Sequence, residues 1–237
     1  MQKRSLRRLS LWLSEMKEQV EKTMDKKDTV ERISNRARMF LEAPGSHDWD
    51  HTLRVYNLAL RIGKIEGAHL QVIKLAALLH DIARPIQDEN KGKVCHAEEG
   101  ANIASAILQE EGVSCETIEK VTHCIRTHRF RKDEKPASLE AKVLFDADKL
   151  DSIGAIGIGR AFQFAGEVGA RLHNKAIIPE RSQEYGEEDT AYREFLVKLS
   201  KVKSRMLTDE GRRLAEARHE FMQTFFEQLN KEDEGTA

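Results

Sequence analysis

The run Val72-Ile73-Lys74-Leu75-Ala76-Ala77-Leu78-Leu79-His80-Asp81 decides how this chain is read. Its first eight residues are apolar nearly all round at helical spacing, which predicts a helix buried on every side. Pro85 ends it, because a proline ring cannot continue a helical hydrogen-bond ladder. The buried helix therefore delivers a histidine and an aspartate into the interior. Neighbouring helical residues point about 100° apart, so both can reach one metal ion only if it sits over the end or edge of that helix. A buried carboxylate without a partner costs several kcal/mol, so a partner or a cation is expected at Asp81. Imidazole and carboxylate together suit Zn, Mn, Fe or Ni, and a carboxylate can bridge two ions. A His-Asp pair by itself is commonplace; the helix leading into it is what marks this one.

Outward from that helix the periodicity stays helical. Residues 3–24 and 28–42 read as amphipathic helices, the second ending before Pro44-Gly45. Ser46 or Asp48 caps a helix over 49–66, with Leu53, Tyr56, Ala59 and Leu60 expected on its buried face. A polar loop is predicted over 86–94, then helices over 96–111 and 114–128, and a charged loop over Arg129–Ser138. Helices over 139–151 and 154–168 follow, then an irregular stretch over 169–188. The chain closes with helices over 188–204 and from a Thr208 cap to about 230, the latter with Leu214, Phe221, Phe225 and Leu229 lining one face. The last seven residues are expected to fray. Glycines in Gly154-Ala155-Ile156-Gly157-Ile158-Gly159 have no strand before them, so close helix packing is a better account than a phosphate loop.

Composition narrows the class. Hydrophobic residues make up 40% of the 237 and charged residues 33%, with 39 basic against 40 acidic. That is enough apolar matter for a core, and a balanced charge argues against a nucleic-acid footprint, which needs a basic excess. Four prolines, 14 glycines and three tyrosines leave little turn chemistry for a many-stranded sheet. Three cysteines without a C-x-x-C pair fit neither a disulfide framework nor a thiolate zinc site, and Cys124 reads as a buried structural thiol. No stretch approaches the ~20 apolar residues of a membrane span, and no secretory h-region is visible. The expectation is a cytoplasmic all-α protein, with no nucleic-acid or membrane partner and a homodimer left open. About 150 residues per domain gives one large domain or one plus an appendage.

His51, then His80-Asp81, then Asp148 within Ala147-Asp148-Lys149-Leu150 resembles the ordered motif of the HD-domain superfamily of metal-dependent phosphohydrolases. The stretches SHDWDHTLRV, LLHDIARP, HAEEGANIA, IRTHRFR and DADKLDSIGAIGIGRAF, and the C-terminal TDEGRRLAEARHEFMQTFFEQL, are similar to its uncharacterised bacterial and archaeal branch. The resemblance implies an all-α helical bundle: an N-terminal helical extension over 1–44, the HD core over 45–168, and a C-terminal part over 169–237 completing the same domain. It implies a first metal site of His51, His80, Asp81 and Asp148. Spacing does not choose between Asp146 and Asp148; the family's Ala-Asp-x-Leu unit selects Asp148, leaving Asp146 and Asp151 as capping or salt-bridging partners. Some HD families add histidines for a second ion bridged by the HD aspartate. His96 and His128 are the candidates here, since His128 shares a face with Val121 and Ile125 while His123 points about 140° away. His47 reads as a helix-start residue, and His69, His173 and His219 as structural or exposed.

The implied activity is hydrolysis of a small phosphorylated metabolite, a nucleotide or related phosphoester, with one or two divalent cations (Mn, Fe, Zn, Ni, Co or Mg). Such cations polarise the phosphoryl group and lower the pKa of a bound water, while nearby cationic side chains meet the anionic transition state. Lys149 and Arg54 are the candidates beside Asp81 at the reacting centre. Arg129, Arg131 and Arg84 are the substrate-binding candidates, with Lys132 in the same loop, against the simpler reading of 129–132 as a solvated charged loop. One departure stands out: where several mononuclear HD nucleotidases carry an acid three residues after the HD aspartate, this chain has Arg84, so that the second metal or Asp88 fills the role, or the activity differs. Two rivals follow from the same resemblance. A few HD-fold proteins hold two irons with the same six ligands and act as oxygenases, and a metal-retaining ligand sensor would keep the site without turnover.

Overall fold

The computed structural model describes residues 28–41, 48–90, 93–129, 135–178 and 181–237. The predicted helix over 3–24, Ser46, His47, Arg131 and Lys132 lie outside the described residues. Among those described there is no strand, and the chain is the expected all-α bundle. Residues 28–40 are helical (α1) and are followed by α2 (Trp49–Glu66), α3 (Leu70–Leu79), α4 (Arg84–Glu89), α5 (His96–Glu110), α6 (Cys115–Thr127), α7 (Leu139–Asp151), α8 (Gly154–Glu167), α9 (Ala191–Val197) and α10 (Asp209–Asp233).

Helix α3 sits in the middle, as its all-round apolar surface requires. Val72, Ile73, Leu75, Ala76, Ala77, Leu78 and Leu79 are all buried, with α2, α6 and α7 packed around them. Helix α5 lies against α6, and α10 lies across α8, α7 and α2. Described residues of α1 join the same core through Ile33 and Ala37, while Arg32 and Arg36 pair with Glu111 and Glu110 at the end of α5. No helix among the described residues is long and apolar enough to cross a membrane.

Several elements differ from the sequence expectation. The polar stretch after Pro85 is not all loop: α4 forms there with Pro85 in its first turn, where the missing N–H costs nothing. The single helix expected over 188–204 stops at Val197 and gives way to two 3-10 turns, Leu199–Lys201 and Lys203–Arg205. The buried face of α2 is His51, Thr52, Val55, Ala59, Ile62 and Gly63, with Leu53 exposed. The buried face of α10 is Gly211, Ala215, His219, Met222 and Phe226, while Phe221 is exposed. Both buried stripes are rotated from the apolar ones because small and polar residues, Gly211 and His51 among them, take inward positions.

Two of the glycines in 154–159 have a packing reason. Gly154 has φ +78° and lies against the Arg218 side chain, and a side chain at Gly157 would meet the Ser152 carbonyl. Nothing presses on Gly159.

Candidate metal centre

Four histidines reach one point from four helix ends. His51 lies in the first turn of α2, whose N-cap Asp48 accepts from the His51 N–H at 2.9 Å. His80 caps the C-terminus of α3 and His128 that of α6. His96 is the first residue of α5. All four are buried, as is Asp81.

Asp81 divides the histidines into two pairs. Its Oδ2 lies 3.6 Å from His51 Nε2 and 3.7 Å from His80 Nε2. Its Oδ1 lies 3.1 Å from His96 Nε2 and 3.6 Å from His128 Nε2. Within each pair the Nε2 atoms are 3.3 Å apart. Asp148 closes the first group, with Oδ1 3.6 Å from His51 Nε2. The site thus offers two three-residue donor groups sharing one carboxylate, His51-His80-Asp81 and Asp81-His96-His128.

The opposite nitrogens are anchored in turn. His80 Nδ1 lies 2.8 Å from the Ala77 carbonyl and His128 Nδ1 2.6 Å from the Ile125 carbonyl. These are carbonyls that a helix C-terminus leaves without a partner in the helix, and a carbonyl only accepts. His51 Nδ1 faces the Asp151 carboxylate at 2.7 Å. His96 Nδ1 faces Gln87 Oε1 at 2.9 Å, an atom that also accepts from Arg129 at 3.0 Å. Where Nδ1 faces a carbonyl or carboxylate, at His51, His80 and His128, it carries the proton, and the Nε2 lone pair is turned inward. Fixing the outer nitrogen in this way orients a metal-binding imidazole. Burial pushes His80 and His96 down to about 4, so both are neutral at pH 7. Burial alone would raise Asp148, but the Lys149 ammonium, then the surrounding histidines, hold it well below the usual carboxylate range. Neutral imidazoles and ionised carboxylates are the donor states a divalent cation requires.

The remaining candidates separate by position. Lys149 Nζ donates to Asp148 Oδ2 at 2.8 Å, at the edge of the cluster. Arg84 and Arg129 each place a guanidinium nitrogen 3.4 Å from His96 Nδ1. Arg54 does not face the cluster: its guanidinium grips Asp151 through Nε at 2.7 Å and Nη2 at 3.1 Å, on the far side of His51. Arg54 thus meets the cluster through the carboxylate that anchors His51. Asp88 is exposed and lies 3.5 Å from Arg84 Nε, so it does not stand in for an acid in the cluster. His123 takes the Ala137 N–H at 3.4 Å, away from the histidine pairs. Burial pushes the Cys124 thiol up to about 12, as befits a packing residue.

Asp146 and Asp151 have different work. Asp151 accepts from Arg54 and from Arg160 Nη1 at 2.9 Å besides facing His51. Asp146 points the other way, accepting from Leu207 N and Thr208 N at 2.8 Å and from Thr208 Oγ1 at 2.6 Å. Sequence reading missed Gln87, because nothing in a short polar stretch marks one residue as the anchor of His96. Beside the cluster opens a cavity of about 670 Å³, lined among others by Arg129, Lys135, Phe145, Lys149, Arg205 and Met206.

With this geometry in hand, the similarities to known proteins have a basis. The family described as HD domain matches residues 48–153. The uncharacterized protein YpgQ of Bacillus subtilis is 40% identical over 194 residues, covering 80% of this chain and 85% of that one. Its crystal structure in complex with ADP superposes with a TM-score of 0.68 at 34% identity, covering 88% of this chain and 96% of that one. An HD-superfamily hydrolase of Bacillus thuringiensis gives a TM-score of 0.70 at 32% identity, covering 87% and 97%. Ribonuclease Y of Chloroflexus aurantiacus is 31% identical over 106 residues, which are 45% of this chain and 18% of that one. Motif order, helical architecture and these relatives agree, and the chain belongs to the HD-domain superfamily.

Proposed function

We propose that this protein is a metal-dependent phosphohydrolase acting on a small phosphorylated metabolite, a nucleotide or close relative. The observation that carries this reading is the division of Asp81, with one carboxylate oxygen toward each histidine pair. The donor set fits two divalent cations: His51, His80, Asp81 and Asp148 would hold one, and Asp81, His96 and His128 the other. Cations held there would supply Lewis-acid polarisation of the phosphoryl oxygens and a bound water of lowered pKa.

The chain's own residues supply the rest. Lys149 and Arg129 each touch the cluster and line the cavity, and both would hold phosphoryl oxygens against it. Arg84 adds a third cation beside His96. The four Nδ1 anchors keep the rings from rotating, so little reorganisation is needed when charge develops. Arg131 belongs to the same basic stretch and stays a substrate-binding proposal. The ADP carried by YpgQ supports a nucleotide among the candidates.

The test is elemental analysis of protein purified without chelator, followed by phosphate release from a panel of nucleotides, sugar phosphates and a short RNA under anaerobic conditions. Two ions per chain and anaerobic, metal-dependent phosphate release are expected. Oxygen uptake with bound iron and no phosphate release would replace this reading with the oxygenase one.

A further inference from the structure

Beyond the metal cluster, the cavity has a wall that the HD match does not contain. The matched residues end at 153, yet Ser204, Arg205, Met206 and Leu207 line the cavity opposite Phe145 and Lys149. This segment runs from the last 3-10 turn into α10, and its own turn bonds, from the Arg205 N–H to the Val202 carbonyl and from the Ser204 hydroxyl to the Lys201 carbonyl, do not tie it to α7. Asp146 does. It is fully buried two residues before Asp148, and it takes the Leu207 N–H, the Thr208 N–H and the Thr208 hydroxyl. Gly211 packs directly on the same carboxylate, where no side chain would fit. One helix, α7, therefore presents Asp148 to the metal cluster and Asp146 to the wall.

The described residues that line the cavity bring cations to it from several segments. Arg129, Lys135, Lys149 and Arg205 line the cavity, and among the described residues no carboxylate does. Lys149 is paired with Asp148 and Arg129 with Gln87. The Arg205 and Lys135 side chains make no hydrogen bond or ion pair among the described residues. Between these cations lie the Phe145 ring and the Met206 side chain, both buried. A cavity of about 670 Å³ is within the range of small-molecule sites. Its lining suits a ligand with a second anionic group and a flat or apolar part.

We infer that residues 204–207 form the substrate-selecting wall of the cavity, that Arg205 with Lys135 binds an anionic group of the substrate other than the phosphoryl group being hydrolysed, and that Asp146 is the positioning residue that holds this wall. The inference rests on the phosphohydrolase reading for its reaction but on the cavity alone for binding.

Two measurements on the full chain separate these. The first is steady-state kinetics of Mn²⁺-loaded wild type, Arg205→Glu, Arg205→Lys and Asp146→Asn on ADP and on p-nitrophenyl phosphate, which has no second anionic group. Replacing a charge-assisted contact by a repulsive one should raise KM for ADP about tenfold, several times more than for p-nitrophenyl phosphate, with the loss in KM rather than kcat. Arg205→Lys should restore most of it, and Asp146→Asn should shift the same ratio in the same direction. An equal change on both substrates overturns the inference. The second measurement is calorimetric binding of ADP to chelator-stripped protein. If no compound is hydrolysed, the phosphohydrolase reading falls, and calorimetry decides the wall by itself. ADP bound by wild type and weakened about tenfold in Arg205→Glu supports the inference; equal affinity, or no ADP binding by wild type, overturns it. Arg205 is exposed, so its variants keep the test open should Asp146→Asn fail to fold.

Discussion

Asp151 Oδ2 lies 2.7 Å from His51 Nδ1, and the same carboxylate is gripped by Arg54 and Arg160. His51 in turn points Nε2 at both Asp81 and Asp148. Burial would raise the Asp151 carboxyl, but its hydrogen bonds from His51 and Arg54 hold it well below the usual range. It is thus a fixed anion behind the ring. Changing Asp151→Asn should weaken metal affinity by about 10- to 100-fold, the usual cost of losing such a partner, read by competition with a chromogenic chelator. Arg54→Ala, which leaves Asp151 in place, should cost less. Equal metal affinity in wild type and Asp151→Asn would show that the ring needs no anchor.

Asp81 is the residue both donor groups share. Asp81→Ala should remove both ions, while His96→Ala or His128→Ala should each leave one, as counted by elemental analysis. Expression should survive all three changes, because the apolar core around α3 does not depend on the site. Full metal content in Asp81→Ala would sink the assignment.

The neutral histidines give the metal-free protein a definite pH response. His80 and His96 titrate near 4 when folded, against about 6.5 unfolded. Between those values the unfolded chain binds protons that the folded chain refuses, so stability falls as pH drops through that window and levels off below it. Thermal melts of chelator-stripped protein from pH 7 to pH 4 should show a falling Tm. His80→Gln should flatten part of that fall. A Tm that holds level down to pH 4 would contradict the buried, neutral assignment.

Gly211→Ala should destabilise the fold, because the added methyl would press on Asp146 Oδ2 and Thr208 Oγ1. Forcing an extra carbon into a packed site costs about 1–3 kcal/mol, visible as a lowered midpoint in urea. Gly159→Ala, where nothing lies within reach, serves as the control and should leave the midpoint unchanged or slightly raised.

What the sequence determined by itself was local and periodic. The apolar run 72–79 had to be buried, and a buried helix ending in His80-Asp81 had to supply those groups with partners. The caps Asp48, Ser138 and Thr208 act as their residue types dictate. Histidine order along the chain marked the site through resemblance, and the structure brings His51, His80, His96 and His128 to one carboxylate. Tertiary structure alone decided whatever depends on two distant segments meeting. Arg54 turns to Asp151 across 97 positions, Asp146 reaches Leu207 across 61, and Gln87 meets His96 between two helices. The stripes of α2 and α10 rotated for the same reason, since the closeness of a neighbour, not hydrophobicity, placed Gly211 and His51 inside. Periodicity reports how one helix meets an apolar environment; it carries no record of which side chain on another helix waits there.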